Sequence, residues 1–395
     1  MKNSKNLPGK PLLAIALMIK NESVSIEATL FSLLQNNISH IFILDTGSTD
    51  DTVERVQAFF KKHDLHAYLE QEPFIDFSTS RNRTLALAKQ KFPNIPFFLM
   101  PDAEWYLYNA VALLDFCAQE VHTTTPLYLI DIKMNHSHFS TARLFRASSN
   151  VQFKGVVHEA PEAHTSAKVP HLTYFEVKAS PQGVEKSNKR WFRDLELLSA
   201  EHKKNPNDPR TAFYLAQTYE CLGDFQNAYR MYQHREQLNG WDEENFMTLY
   251  RLGYLAQKTN HTDSIISWAT AMNYFLKAFA LRPHRIEPLV KIAEYYWPSN
   301  IQTCYLFINY AYNIPYPKND VLFINREMYQ YTRYEIMSRC AWYMKEYNLG
   351  EQATRLALDV HPDTAHLHNN LKLYKQKLAL NLEPISNSTL LEPIN

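Results

Sequence analysis

A change of hydrophobic periodicity near residue 180 constrains this chain more than any other feature. Before it, short apolar runs alternate with segments of helical spacing. LLAIALMI (12–19), HIFILD (40–45), HAYLEQ (66–71), PFFLM (96–100) and LYLIDIKM (127–134) read as strands, HAYLEQ the weakest. SVSIEATLFSLLQN, TVERVQAFFKKH, SRNRTLALAKQKF and NAVALLDFCAQEV, which lie between them, read as helices. Strand–helix repetition of this kind predicts an α/β domain with a mostly parallel sheet covered by helices. After KASPQG (178–183) long helical patterns follow one another, from KRWFRDLELLSAEHKK through WATAMNYFLKAFAL, which predicts an all-α domain. The expected boundaries are 1–180 and 181–385. Residues 386–395 form a weakly ordered tail, and the first ten residues are read the same way.

The helical half has similar connections at NPNDPR (205–210), LRPHRIEP (281–288) and VHPDTA (360–365), each ahead of another helix. It resembles a tetratricopeptide-type solenoid without a clean 34-residue period. Its many Tyr and Trp residues suit packing between helices, with a concave surface for a peptide or other acceptor as the functional reading. The 395 residues are 45% hydrophobic, enough for two cores. Lys plus Arg and Asp plus Glu each number 41, so no global field recruits nucleic acid or anionic membrane.

The cysteines, Cys117, Cys221, Cys304 and Cys340, lie too far apart in sequence for a C-x-x-C site and point to a reducing compartment. The apolar run Leu12–Ile19 ends at Lys20, Asn21 and Glu22, so it suits a buried strand better than a signal peptide or anchor. The expected location is cytoplasmic or peripheral to a membrane, with no transmembrane segment.

The candidate chemistry lies at strand ends, where open α/β sheets bind ligands. Asp102 and Glu104 follow PFFLM with only Ala103 between them, and two such carboxylates can hold a hard divalent cation. A solvated loop is the bland reading of the pair. KNE (20–22) ends the first strand. DTGSTDDT (45–52) follows the second, with Gly47 permitting a tight turn and Ser48 or Asp50 able to cap a helix. Capping leaves Asp45 unexplained, and at the strand tip it could accept hydrogen bonds from a base or ribose. DFSTSRNRT (76–84) adds Asp76, Arg81 and Asn82. His136, His138, His164 and His171 match no compact zinc spacing. DTGSTDD lacks the glycine spacing of a dinucleotide fingerprint, and no phosphate-binding loop of the G-x-x-x-x-G-K type occurs.

Five segments, ALMIKNES, ILDTGSTDDTVE, DFSTSRNRTLALA, FFLMPDAEW and FKGVVHEAPE, resemble the successive motifs of family 2 glycosyltransferases. They come in the family's order over roughly residues 10–165. The resemblance implies a GT-A nucleotide-diphospho-sugar transferase domain, in the subgroup with a tetratricopeptide-like helical region behind it. It places Lys20, Asn21 and Glu22 along the nucleotide, Asp45 at the base, and Asp76 and Arg81 in the same pocket. Asp102 and Glu104 match the family's D-x-D, with glutamate in place of the second aspartate. Asp102 is then a diphosphate or metal contact and a catalytic residue, and Pro101 fits a strand terminus.

His158 becomes a third metal ligand or orients Glu159, and Glu159 is the catalytic base of an inverting transfer. Arg143 and Arg146 either neutralise phosphate or make ordinary ion pairs. The implied cofactor is Mn²⁺ or Mg²⁺ and the implied donor a nucleoside diphosphate sugar, UDP-sugar by family default. The acceptor would be a hydroxyl on a glycan, lipopolysaccharide or protein. Self-association through the helical half is compatible with this reading. The alternative is an inactive transferase-like scaffold that binds a partner through its helices.

Overall fold

The computed structural model describes residues 10–34, 38–134, 137–177, 183–259 and 268–382, so the two expected tails fall outside it except for residue 10. The chain divides into two compact units, Met1–Asn205 and Pro206–Asn395. The architecture is the expected one, an α/β domain followed by an all-helical domain.

In the first unit the strands are β1 (Leu13–Ile19), β2 (His40–Asp45), β3 (His66–Gln71), β4 (Phe97–Leu99), β5 (Trp105–Tyr108), β6 (Leu127–Met134) and β7 (Ser137–Arg146). Four short strands follow: β8 (Gln152–Lys154), β9 (Ala160–Glu162), β10 (Ala167–Lys168) and β11 (Tyr174–Val177). The helices are α1 (Ile26–Leu34), α2 (Thr52–His63), α3 (Phe77–Lys91), α4 (Ala110–Glu120) and α5 (Gly183–Lys204).

The main sheet runs β3-β2-β1-β4-β7-β6-β11-β5, with β10 paired to β6; β8 and β9 form a separate ribbon. Its β3-β2-β1-β4 half is parallel, as expected. The other half is mixed: β10 and β11 run parallel to β6, while β7 lies antiparallel to both β4 and β6, and β5 antiparallel to β11. Strand β5 begins three residues after Asp102, a connection too short to hold a crossover helix.

Alternation along the strands builds a core on each face of the sheet. Leu13, Ile15, Leu17 and Ile19 of β1 pack with Ile41 and Ile43 of β2 beneath α1, α2 and α4. Ala14 and Ala16, with Phe42 and Leu44, face α3 and β8 on the other side. Phe97 and Leu99 serve the first core and Phe98 and Met100 the second, so PFFLM is apolar throughout because both its faces are covered. Full burial of each phenylalanine contributes roughly 1.5–3 kcal/mol.

The second unit contains α6 (Pro209–Cys221), α7 (Phe225–Glu236), α8 (Asp242–Thr259), α9 (Trp268–Leu281), α10 (Glu287–Tyr296) and α11 (Ile301–Tyr312). One π-helical turn, Met328–Thr332, precedes α12 (Arg333–Tyr343), α13 (Tyr347–Val360) and α14 (Ala365–Leu382). Successive helices pack as hairpins. NPNDPR works as a helix start: Asp208 accepts the Thr211 N–H at 2.8 Å, and Pro209 occupies the first turn. LRPHRIEP differs, since Arg285 in it is fully buried and bonds Glu287 at 2.8 Å and Asp320 at 3.4 Å.

Tyr232, Tyr329 and Tyr374 are buried between helices, whereas Tyr295, Tyr310 and Tyr343 remain exposed. Cys304 and Cys340, 36 residues apart, bring buried sulfurs within 3.0 Å of each other, a meeting that their spacing could not reveal. A cavity of about 410 Å³ opens beside α6, α8 and α10. No buried polar side-chain atom on its lining residues lacks a partner. No described helix is long and apolar enough to cross a membrane.

Helix α13 crosses α14 at Gly350, where a Cβ would collide with the buried ring of Tyr374, whose hydroxyl donates to the Ser338 carbonyl at 2.7 Å. Gly350→Ala should therefore destabilise the helical unit by about 1–3 kcal/mol, opposite in sign to the gain that alanine brings to an open helical position. Thermal melts read the sign directly, and an unchanged or raised midpoint would disprove the close approach.

Candidate active site

The site is assembled at the carboxyl ends of β1, β2 and β4, where the strand order turns back on itself across β1. Much of the polar chemistry there builds the turns. Asp45 is fully buried at the tip of β2 and accepts the N–H groups of Gly47 (3.2 Å) and Ser48 (3.1 Å), the Ser48 hydroxyl, and the Gln71 amide at 3.3 Å. Gly47, at φ +95°, supplies the left-handed turn this requires.

Asn21 also adopts positive φ and locks the first motif to the second. Its N–H donates to Ser48 Oγ at 2.8 Å, and its Oδ1 accepts the Thr49 N–H at 2.8 Å. The Glu22 N–H donates to Thr52 Oγ1 at 2.8 Å, and the Glu22 carboxylate accepts the Ser25 hydroxyl at 2.9 Å. Asp50 bonds the Thr52 N–H at 3.1 Å and the Ser23 N–H at 3.4 Å. Burial opposes its ionisation, but the bonds from Thr52 and Ser23 outweigh this and hold its carboxyl below the usual range.

Asp76 is the N-cap of α3, accepting the Thr79 N–H at 2.7 Å and the Ser78 hydroxyl at 2.9 Å. Asn82 makes a two-bond clasp with the backbone of Phe153, and the Phe77 N–H reaches the Val156 carbonyl, so α3 carries the segment leading to His158 and Glu159. Lys20 lies 5.8 Å over the Phe74 ring, and Phe74 meets Phe77 edge-on.

The charges that cross between segments converge on Arg81. This guanidinium is buried and lies 5.8 Å over the Phe153 ring. Its Nη2 donates to Asp102 Oδ1 at 2.5 Å and its Nε donates to Glu159 Oε1. Arg143, 4.8 Å over the Trp105 ring, donates to the other Asp102 oxygen at 3.2 Å. Burial alone would raise the Asp102 carboxyl, but Arg81 and Arg143 dominate and hold it below the usual range. Burial likewise works against the Arg81 charge, yet Asp102 and Glu159 raise its affinity for the proton further. At Arg143 burial wins and lowers it. Arg81 Nη1 and Arg143 Nε are buried and have no hydrogen-bond partner among the described residues.

The loop between β4 and β5 is fixed from three sides. Met100 N–H bonds Arg143 O at 2.8 Å, Trp105 N–H bonds Asp102 O at 3.1 Å, and the Thr29 hydroxyl donates to Ala103 O. Arg146 belongs elsewhere, its guanidinium bonding the carbonyls of Glu120 and Thr125 at 2.8 Å and the Tyr128 hydroxyl at 2.6 Å. It therefore serves the α4–β6 connection and not a phosphate.

His171 bonds Asp131, His164 is exposed, and His136 lies outside the described residues, as does the side chain of His138. His158, exposed and at φ +52°, precedes Glu159, whose side chain is only 8% exposed. The donor types at Asp102, Glu104 and His158 suit a hard divalent cation. They do not form a ready three-ligand group among the described residues, and both Asp102 oxygens hold guanidinium hydrogens.

Sequence reasoning read α5 as a helix but grouped it with the all-α half and named none of its residues. Arg193 stacks 5.1 Å from the Phe74 ring and 5.0 Å from that of Phe77, and Asp194 is 4% exposed. The available signal was an acid four residues before the buried Leu198, on the apolar stripe of the helix.

No family model matches the chain. It is 24% identical over 219 residues to the SPbeta prophage-derived glycosyltransferase SunS of Bacillus subtilis strain 168 and to glycosyltransferase SunS of Bacillus phage SPbeta. The match covers 54% of this chain and 50% of each relative, so the chain spans about half the length of the curated relatives it matches. Among solved structures, S. aureus TarS 1–349 in complex with UDP-GlcNAc superposes with a TM-score of 0.36 and 12% identity, over 93% of this chain and 92% of that one. The C-terminal part of a TPR repeat-containing protein from Cytophaga hutchinsonii gives 0.37 and 13%, over 49% and 69%. Both superpositions are too loose to add to the architecture described above.

Removing the Arg81 guanidinium would leave Asp102 and Glu159 without the charge they share. Arg81→Met should cost about 3 kcal/mol at pH 7. Because the folded-state pKa of Asp102 is depressed, its stabilisation is present above the ordinary carboxylate pKa and is lost as pH falls through the lower folded value. The gap between wild type and variant in urea-denaturation midpoints should thus narrow from pH 7 to below pH ~4. A gap of the same size at both pH values would refute the ionic role.

Proposed function

We propose that this chain transfers a sugar from a nucleoside diphosphate sugar, a UDP-sugar by preference, to an acceptor hydroxyl on a glycan, lipopolysaccharide or protein, with inversion. One observation carries the reading: the five motif segments, spread over residues 16–162, are linked to one another at the carboxyl ends of β1, β2 and β4. Asn21 clasps Ser48 and Thr49, and Lys20 covers Phe74. Arg81 then joins the third segment to Asp102 of the fourth and Glu159 of the fifth. Similarity to the SunS glycosyltransferases over half the chain supports the same chemistry.

Residues 20–22, Asp45, Asp76 and Arg81 would line the nucleotide, with the diphosphate beside Asp102. Arg81 and Arg143, both held on Asp102, would bring positive charge beside its anionic oxygens. Asp102, with Glu104 and His158, would hold Mn²⁺ or Mg²⁺, which when bound supplies positive charge to the leaving diphosphate. Glu159 is the base: Arg81 occupies its Oε1, leaving Oε2 to take the acceptor hydroxyl's proton. The hydroxyl oxygen bonds to the anomeric carbon as the bond from that carbon to the diphosphate oxygen breaks. Arg81 keeps the Glu159 carboxylate oriented throughout.

Calorimetric titration with UDP, GDP and their common sugar conjugates, with and without Mn²⁺, tests the reading. Wild type should bind one nucleotide series, and Asp102→Ala should weaken Mn²⁺-supported binding by about tenfold or more, ~1.4 kcal/mol. Glu159→Gln should retain nucleotide binding while losing about 10²–10⁴ in turnover. A folded wild type that binds none of these compounds, with or without metal, would overturn the proposal and leave a scaffold role for the helical unit.

A further inference from the structure

Helix α5 carries the largest unexplained polar feature near the site. Asp194 is 4% exposed, and its Oδ1 has no hydrogen-bond partner among the described residues. A buried carboxylate oxygen left unpaired is costly, and its persistence calls for a water, a ligand or a functional role to explain it. The neighbouring residue shows where this stretch of α5 packs. Arg193 lies over the rings of Phe74 and Phe77, which flank the Asp76 cap, and Phe74 also lies under Lys20 of the first motif. The part of α5 that bears Asp194 therefore packs at the start of α3, one turn ahead of Arg81, where Asp194 feels the charge of Glu159.

We propose that α5 forms the outer wall of the transfer site and that Asp194 accepts a hydrogen bond from a hydroxyl of the donor's sugar ring. The proposal rests on the transfer reading above and names a specificity residue for it. A ring hydroxyl suits this oxygen better than the other parts of the donor. A phosphate brings only acceptors to a carboxylate, and a base at the β2 tip would lie on the side of Asp45. Electrostatics support the placement. Burial pushes the Asp194 carboxyl up, Arg193 and Arg190 pull it down, and Glu159 adds to the rise, so the catalytic carboxylate and Asp194 share one field. Arg190 also acts on Asp102. An ion pair of Asp194 with its own helix's arginines would be the purely structural explanation, but neither arginine bonds Oδ1. Arg193 is then a positioning residue that holds the wall through its two aromatic contacts.

The test compares affinity for the free nucleoside diphosphate with affinity for its sugar conjugate, using the nucleotide that wild type binds. Asp194→Asn and Asp194→Leu should leave UDP (or GDP) binding within about twofold and weaken the sugar conjugate by about 5- to 50-fold, equivalent to ~1–2.3 kcal/mol. Melting temperature at or above that of wild type should accompany the loss, because the buried charge is gone. An unchanged ratio of the two affinities in both variants overturns the proposal alone. Equal weakening of nucleotide and conjugate, with a lowered melting temperature, also overturns it and marks Asp194 as structural. A wild type that binds neither ligand overturns the transfer reading, and this proposal with it.

Discussion

A buried guanidinium joined to two carboxylates from distant segments organises the first unit of this protein. Arg81 is taken out of water by α3 and the Phe153 ring, and only Asp102 and Glu159 together offset that cost. The pairing fixes the loop after β4 to the segment after β8, 57 residues later in the chain. Arg143 closes the arrangement from β7, so the antiparallel half of the sheet reaches the same carboxylate as the parallel half. The result is two cations and two anions in near balance, with an unspent donor on each cation.

The polar residues at the strand ends divide by the work they do in the fold. Asp45 and Asp76 spend their oxygens mainly on the backbone and hydroxyls of their own turns, Asp45 also accepting the Gln71 amide, so their immediate effect is to shape the strand ends. Asn21 and Asn82 join segments by pairing with backbone groups, which sets distance and register without placing charge in the site. Charge is reserved for Arg81, Arg143, Asp102 and Glu159, the groups that meet across segments. This division explains how the strand ends keep ionised groups close together: neutral clasps hold the frame, and the charged groups neutralise one another.

Legibility differed between the two halves of the sheet for a physical reason. β1, β2 and β4 are buried on both faces, so their sequences are unbroken apolar runs that stand out at once. β5, β8, β9 and β11 are short and partly exposed, and WYLY or QFK carries too few residues to display a period. The mixed topology followed from β5 and from β7, a strand that the sequence reading did not assign. Within the site, motif order pointed to Asp102 and Glu159, whereas nothing local to SRNRT indicated that Arg81 would bind both. From sequence alone Arg146 is as good a phosphate ligand as Arg143. Their shared strand β7 sends one toward Asp102 and the other, three residues along, to the α4–β6 connection.

By itself the sequence determined the two-part architecture, the covered central strands, the turn chemistry of the DTGST segment and the residue types available at each strand end. These follow from hydrophobic period and from the backbone preferences of Gly, Asn, Asp and Pro, which act over a few residues. Tertiary structure decided which of those residues meet. It paired Arg81 with two acids at separations of 21 and 78 residues, brought Cys304 to Cys340, and placed Arg193 of α5 against Phe74 and Phe77. Contacts of that range depend on the register of whole elements, which burial of both sheet faces sets cooperatively and no local pattern encodes.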